Sequence, residues 1–139
     1  MADNSYLPQT GEDLDFATFA IEQQPSYTYK LDIRRGRVKG TTEDMDALLQ
    51  AIYLILSVER YQYQIYSYDY GIELVDLIGQ PKDYVMSEVK RRITEALTQD
   101  DRINSVDNWE FESTQKALIV NFTVHSIYGD IDTTKEVDV

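Results

Sequence analysis

The sequence predicts an α+β fold: a small antiparallel or mixed sheet packed against two long helices and one short helix. Period-two alternation appears near Tyr27 ("YTYKLDI") and again from Ala117 ("ALIVNFTV"), which marks strands. Between them, two stretches carry apolar residues at helical spacing. Strands therefore come in two groups separated by helices, and do not alternate with them as a parallel sheet requires.

Residues 1–26 form a separate zone, with Pro8, Gly11, Pro25 and several acids interrupted by Leu14, Phe16, Phe19 and Ile21. This composition predicts an acidic N-terminal arm, flexible until laid across a neighbour. Residues 27–139 then make a single α+β domain. In it Tyr27, Tyr29, Leu31 and Ile33 alternate with Thr28, Lys30, Asp32 and Arg34, a half-buried strand. Arg35-Gly36 reads as a tight turn into a short strand through Val38. Thr41 or Thr42 is placed to cap the next helix, with Glu43, Asp44 and Asp46 at its positive end. Met45, Leu48, Leu49, Ile52 and Leu56 make that helix's apolar stripe, widened by Tyr53 and Ile55. So wide a stripe predicts a central helix covered on more than one side.

"RYQYQIYSYDYG" follows, with Tyr61, Tyr63, Tyr66, Tyr68 and Tyr70 close together. In an extended strand Tyr61, Tyr63 and Ile65 share one face and Tyr66, Tyr68 and Tyr70 the other. The phase changes between Gln64 and Tyr66, which calls for a bulge or a turn between two short strands. One set is expected to pack on the first long helix and the other to face a partner. "IELVDLIG" reads as a short helix stopped by Gly79. Pro81 opens the second long helix, with Val85, Val89, Ile93, Ala96 and Leu97 buried and Lys90, Arg91 and Glu95 outward. "INSVDNWEFES" and "KALIVNFTVHSIYGD" are strands joined by a turn around Ser113 to Gln115. Leu118, Val120, Phe122 and Val124 form one apolar face, and "IDTTKEVDV" offers a further extended segment.

Composition narrows the function. The 139-residue chain carries a formal net charge of −12, which repels phosphate backbones and anionic lipid and argues against nucleic-acid and membrane partners. The basic cluster Arg34, Arg35, Arg37 and Lys39 sits on a predicted hairpin tip with no base-stacking platform beside it. There is no cysteine, so disulfides, thiolate metal sites and Cys nucleophiles are excluded. The N-terminus shows no basic-then-apolar signal, and no apolar run approaches the roughly 18 residues of a membrane span. His125, the single histidine, lies opposite the apolar face of its strand and reads as an ordinary sheet residue. "DID" at Asp130 to Asp132 lacks the length, glycine and distal Glu of a calcium loop. Glu59, Asp69, Glu73 and Asp76 surround the tyrosines and invite a glycosidase reading. With 25 acids in the chain, however, chance pairs at the required ~5–9.5 Å are expected. No cofactor or metal set is predicted.

The segments "AIYLILSVERYQYQIYSYDYGIELVDLIGQP", "SEVKRRITEALTQDDRINSVDNWEF" and "FTVHSIYGDI" resemble the XkdS-like tail proteins of PBSX-type prophages. These are relatives of the baseplate wedge and sheath-initiator family of contractile phage tails, pyocin-like particles and type VI secretion machines. The resemblance runs from about Tyr27 to Val139. In the loop after its first long helix the broader family carries an arginine, a proline and an aromatic-glycine pair. Asp69-Tyr70-Gly71 matches that end, with Tyr68 in place of the proline.

The resemblance implies a non-enzymatic structural part, made in the bacterial cytoplasm and housed in the baseplate of a virion or tail-like particle (prophage or bacteriocin). There it joins baseplate to sheath and nucleates sheath assembly by accepting strands from sheath subunits. The partners it implies are other baseplate wedge proteins, tail sheath subunits and the tail tube or hub, in six copies per particle. Strand addition needs a free edge, for which the Tyr27 to Ile33 and Ala117 to Tyr128 strands are candidates. Candidate interface residues are Tyr66, Tyr68, Tyr70, Tyr27, Tyr29, Arg35 and Arg37. The alternative readings are a tail-associated peptidoglycan-cleaving enzyme and a soluble adaptor unrelated to virions.

Overall fold

The glycine at position 36 takes φ +62 and turns the chain between two strands, β1 (Tyr27–Asp32) and β2 (Arg37–Glu43). The computed structural model describes residues 26–139, so the predicted arm lies outside the described residues except for its last residue, Ser26. After β2 come α1 (Asp44–Ser57), a 3₁₀ turn at Val75–Leu77, α2 (Lys82–Thr98), β3 (Ile103–Ser113), β4 (Ala117–Ser126) and β5 (Gly129–Asp138). The strands form two antiparallel sheets where one was expected, the hairpin β1-β2 and a three-stranded β3-β4-β5. The short helix predicted for "IELVDLIG" is only the 3₁₀ turn, closed by Gly79 at φ +83.

α2 buries the predicted stripe: Val85, Val89, Ile93, Ala96 and Leu97 are all buried. Pro81 precedes it, where a missing N–H costs no helical bond, and its carbonyl accepts the Val85 N–H at 3.0 Å. The stripe packs with α1 and with Leu118, Val120, Phe122 and Val124 of β4, Ile131 and Val137 of β5, and Ile72 and Leu77 between the helices. Trp109 stacks on Phe122 at 5.0 Å between ring centres and closes the β3 end of this core. Arg92 fastens α2 to the preceding segment: it donates to the Glu73 carbonyl at 2.8 Å and pairs with Asp76 and Glu88. The Arg92 bond holds the Asp76 carboxyl below its ordinary pKa.

Three local expectations fail for one reason, that neighbours far along the chain decide coverage. Thr41 and Thr42 are strand residues, and α1 starts after Glu43 with no side-chain cap. The orphan Asp44 N–H instead donates to the Ser26 carbonyl at 3.0 Å. The hairpin is not half-buried: Tyr27 and Tyr29 are 67% and 70% exposed, because among the described residues no layer covers them. α1 buries Ala47, Leu48, Ile52, Ile55 and Leu56, but Leu49 and Tyr53 face outward.

Ser26 is the junction between the two parts. It is buried, and its hydroxyl receives Arg102 Nη1 at 2.9 Å and the Tyr128 hydroxyl at 2.8 Å. The root of the hairpin is thereby tied to the start of α1, to the lead into β3 and to the β4–β5 turn.

Candidate assembly surface

The tyrosine run is neither one strand nor two. Residues between Arg60 and Gly71 make successive turns closed at the base, an Ω-like loop. At that base Ile72 N–H donates to the Val58 carbonyl at 2.9 Å and Arg60 N–H to the Ile72 carbonyl at 3.2 Å. The Glu59 carboxylate accepts the N–H groups of Leu74 and Val75, at 3.0 and 3.3 Å. Arg60 donates to the Gly71 carbonyl at 3.2 Å and to Glu95 at 3.3 Å. Gly71 sits at φ +94, and a Cβ there would come within 2.5 Å of the Val58 carbonyl oxygen. Glycine is obligatory at this crossing.

The rings above this base pack mainly on one another. Tyr66 stacks on Tyr70 at 4.6 Å, Tyr63 meets Tyr66 edge-on at 6.3 Å, and Tyr61 lies 6.3 Å from Tyr68. The expected division into two faces is not what forms. Tyr70 alone packs against the core, and burial together with the neighbouring Tyr66 phenol raises its pKa. Tyr68 is 82% exposed and Ile65 86%. Aromatic rings so presented combine large contact area with a hydroxyl that stays hydrated, which suits a protein interface.

Tyr27, Tyr29, Arg35 and Arg37 fall together on the hairpin, along with Lys30, Arg34 and Lys39. Among the described residues no ring contact links this group to the loop tyrosines, so the candidate residues make two patches. β1 does not offer a free edge throughout: Gln50 of α1 donates to the Tyr29 carbonyl and accepts the Leu31 N–H, both at 2.8 Å, as a strand would.

The three-stranded sheet corrects the second edge candidate. β4 is the central strand, paired on both sides, so among the described residues the free edges belong to β3 and β5. These differ in regularity. β3 slips register between Ile103 and Ser105 and again between Asp107 and Glu110, where Asn108 takes φ +54. Such bulges twist an edge away from further pairing. β5 pairs with β4 without a slip from Gly129 to Asp138, and among the described residues no strand lies on its other side.

Beside that β5 edge runs a groove in two adjoining parts, the first mainly apolar and the second mixed. One, of about 380 Å³, lies between β5 and the outward residues Leu49 and Tyr53 of α1. The other, of about 240 Å³, continues towards Asp138 past Tyr63, Val75 and Ile78. All five of these side chains are largely exposed. Sequence reasoning assigned Leu49 and Tyr53 to the core; the signal that distinguishes them is the excess width of the α1 stripe, which one core cannot cover.

The remaining polar groups have structural work. Glu59 and Asp76 hold the backbone N–H groups and Arg92 described above. His125 lies on the outer sheet face as expected, with Nδ1 2.6 Å from Asp130 and Nε2 2.9 Å from Asp107, bridging all three strands. Its pKa is raised, first by the Asp130 bond. Among the described residues no group of His, Asp and Glu is arranged to hold a metal ion, and no helix is long and apolar enough to cross a membrane.

Comparison with known proteins shows the family of the chain. The phage-like element PBSX protein XkdS of Bacillus subtilis (strain 168) is 36% identical over 125 residues, covering 87% of each chain. The family model for the contractile injection system sheath initiator matches residues 15–129. That family is a structural component of contractile machines and not an enzyme, so the cell-wall-cleaving alternative falls. The chain belongs to the contractile injection system sheath initiator family.

Proposed function

We propose that this protein is the baseplate wedge component at which sheath polymerisation starts, its β5 edge accepting an extended strand from the first ring of sheath subunits. The observation that carries this is the slip-free β5 edge lying beside an apolar groove. Added strands gain affinity from main-chain hydrogen bonds and specificity from pockets for alternate side chains, and this edge supplies both. Six copies around the tail would give the first sheath ring six such edges.

The two patches serve attachment to the wedge in this reading. Tyr66, Tyr68 and Tyr70 on the loop, and Tyr27, Tyr29, Arg35 and Arg37 on the hairpin, dock on neighbouring baseplate proteins and on the tube or hub. Residues 1–25, ahead of the buried Ser26, act as an arm laid across a neighbour during assembly. The chain is made in the bacterial cytoplasm and ends in the particle's baseplate.

The test is sheath assembly on baseplates carrying Leu49→Glu with Tyr53→Glu. Both side chains are exposed, so the fold survives, while the groove gains two charges that a docked strand must bury. Electron microscopy should show complete baseplates lacking sheath. Normal sheaths on the double variant overturn the proposal.

A further inference from the structure

The β5 edge also carries information about what it accepts. Paired residues in an antiparallel ladder share a face, so the buried side of β4 assigns Ile131, Thr133, Lys135 and Val137 to the groove side of β5. The opposite side then carries Asp130, Asp132, Thr134, Glu136 and Asp138. Asp107, Glu110 and Glu112 of β3 lie on that same outer face, through their pairing with Thr123, Asn121 and Ile119. Neither Lys nor Arg from these strands joins them, since Lys135 faces the groove and Lys116 lies in the β3–β4 turn. Asp130 is met by His125, and Asp132 accepts the Thr123 hydroxyl at 2.8 Å. Glu136 and Asp138 have no ion-pair partner among the described residues.

We infer that the strand accepted by β5 alternates apolar and basic residues: apolar side chains towards Leu49, Tyr53 and the rest of the groove, Lys or Arg towards the acidic outer face. This rests on the strand-acceptor reading and names the partner chemistry of the same site. Side chains directly opposite across a ladder lie ~4.5–5.5 Å apart, where opposite charges attract and like charges repel. An acidic strand laid on this edge would meet a carboxylate at nearly every outer position. The chain's own first 25 residues contain five acids and no Lys or Arg, so they make a poor occupant and a foreign basic strand a good one.

The probes are three synthetic peptides, alternating Val-Lys, Val-Ser and Val-Glu, titrated at low salt into the full isotope-labelled chain and followed by amide NMR and hydrogen exchange. The Val-Lys peptide should bind about tenfold or more tightly than Val-Glu, protect outward β5 amides, and lose that advantage as salt rises. Asp132→Lys with Glu136→Lys should reverse the order. Equal protection of β5 by all three peptides overturns the charge inference and leaves the strand-acceptor reading standing. Protection of β5 by none of them removes both. Outward β5 amides, those not bonded to β4, that are already slow to exchange in the free chain mean that its own arm fills the groove, which also overturns the inference.

Discussion

In α2 five apolar residues turn inward and every one is covered; in the loop that follows α1 five tyrosines crowd together and only Tyr70 reaches the core. Both patterns are dense, yet they are held by different means. α2 is fixed by burial of its side chains, whereas the loop is fixed at its base by backbone hydrogen bonds, the Glu59 carboxylate and a glycine that permits close crossing. The rings at the loop's tip pack on one another above that base, and Tyr61, Tyr63 and Tyr68 stay more than half exposed. In the proposed reading, folding and assembly therefore draw on separable sets of residues.

The comparison is broken most severely at α2. Ile93→Ala opens a cavity among residues from every layer and should cost about 2–4 kcal/mol in urea unfolding; a loss under ~1 kcal/mol would show that the core collapses around the site. Gly71→Ala strikes the base of the loop. Its strained φ and the clash with Val58 predict about 1–3 kcal/mol, with the loop becoming cleavable by proteases before the domain unfolds.

Within the loop, Tyr70→Ala and Tyr68→Ala sharpen the contrast between ring and base. The first should cost about 1 kcal/mol or more and the second under ~0.5 kcal/mol, read as shifts in denaturation midpoint. Equal losses would mean that the tip rings do shape the loop. Replacing Tyr66, Tyr68 and Tyr70 together would mix stability with binding, because Tyr70 packs on the core, so Tyr68 is the cleaner probe of assembly.

The smallest effect is expected on the outer sheet face. The Asp130 bond, with the charge of Asp107, favours the protonated form of His125, so its folded pKa lies above the unfolded value. Its stabilising contribution is full below about pH 6.5 and disappears as pH rises through the raised folded pKa. The difference in melting temperature between the natural chain and His125→Asn should therefore shrink on going from pH 6 upward through that pKa. A constant difference would place the histidine's contribution in packing and not in charge.

Much of this architecture is legible in the sequence, and the failures share a pattern. The α2 stripe, the apolar face of β4 and the stop at Gly79 all stand where periodicity and turn chemistry put them. The hairpin also forms, because Gly36 meets its turn requirement locally. Thr42 does not cap α1, because it is held in β2 opposite Thr28, and the Asp44 N–H donates instead to the Ser26 carbonyl, far back along the chain. Ser26 itself gives no signal, since its partners Arg102 and Tyr128 are more than seventy positions away.

By itself, then, the sequence determined an acidic, cysteine-free α+β chain, the inward faces of α2 and β4, and a tyrosine cluster bounded by glycine. Only the tertiary structure decided that β4 is central, that β5 is the regular edge with no further strand among the described residues, and that Leu49 and Tyr53 line a groove beside it. The physical reason is that periodicity records which side chains share a face, while coverage of a face and freedom of an edge depend on non-local packing.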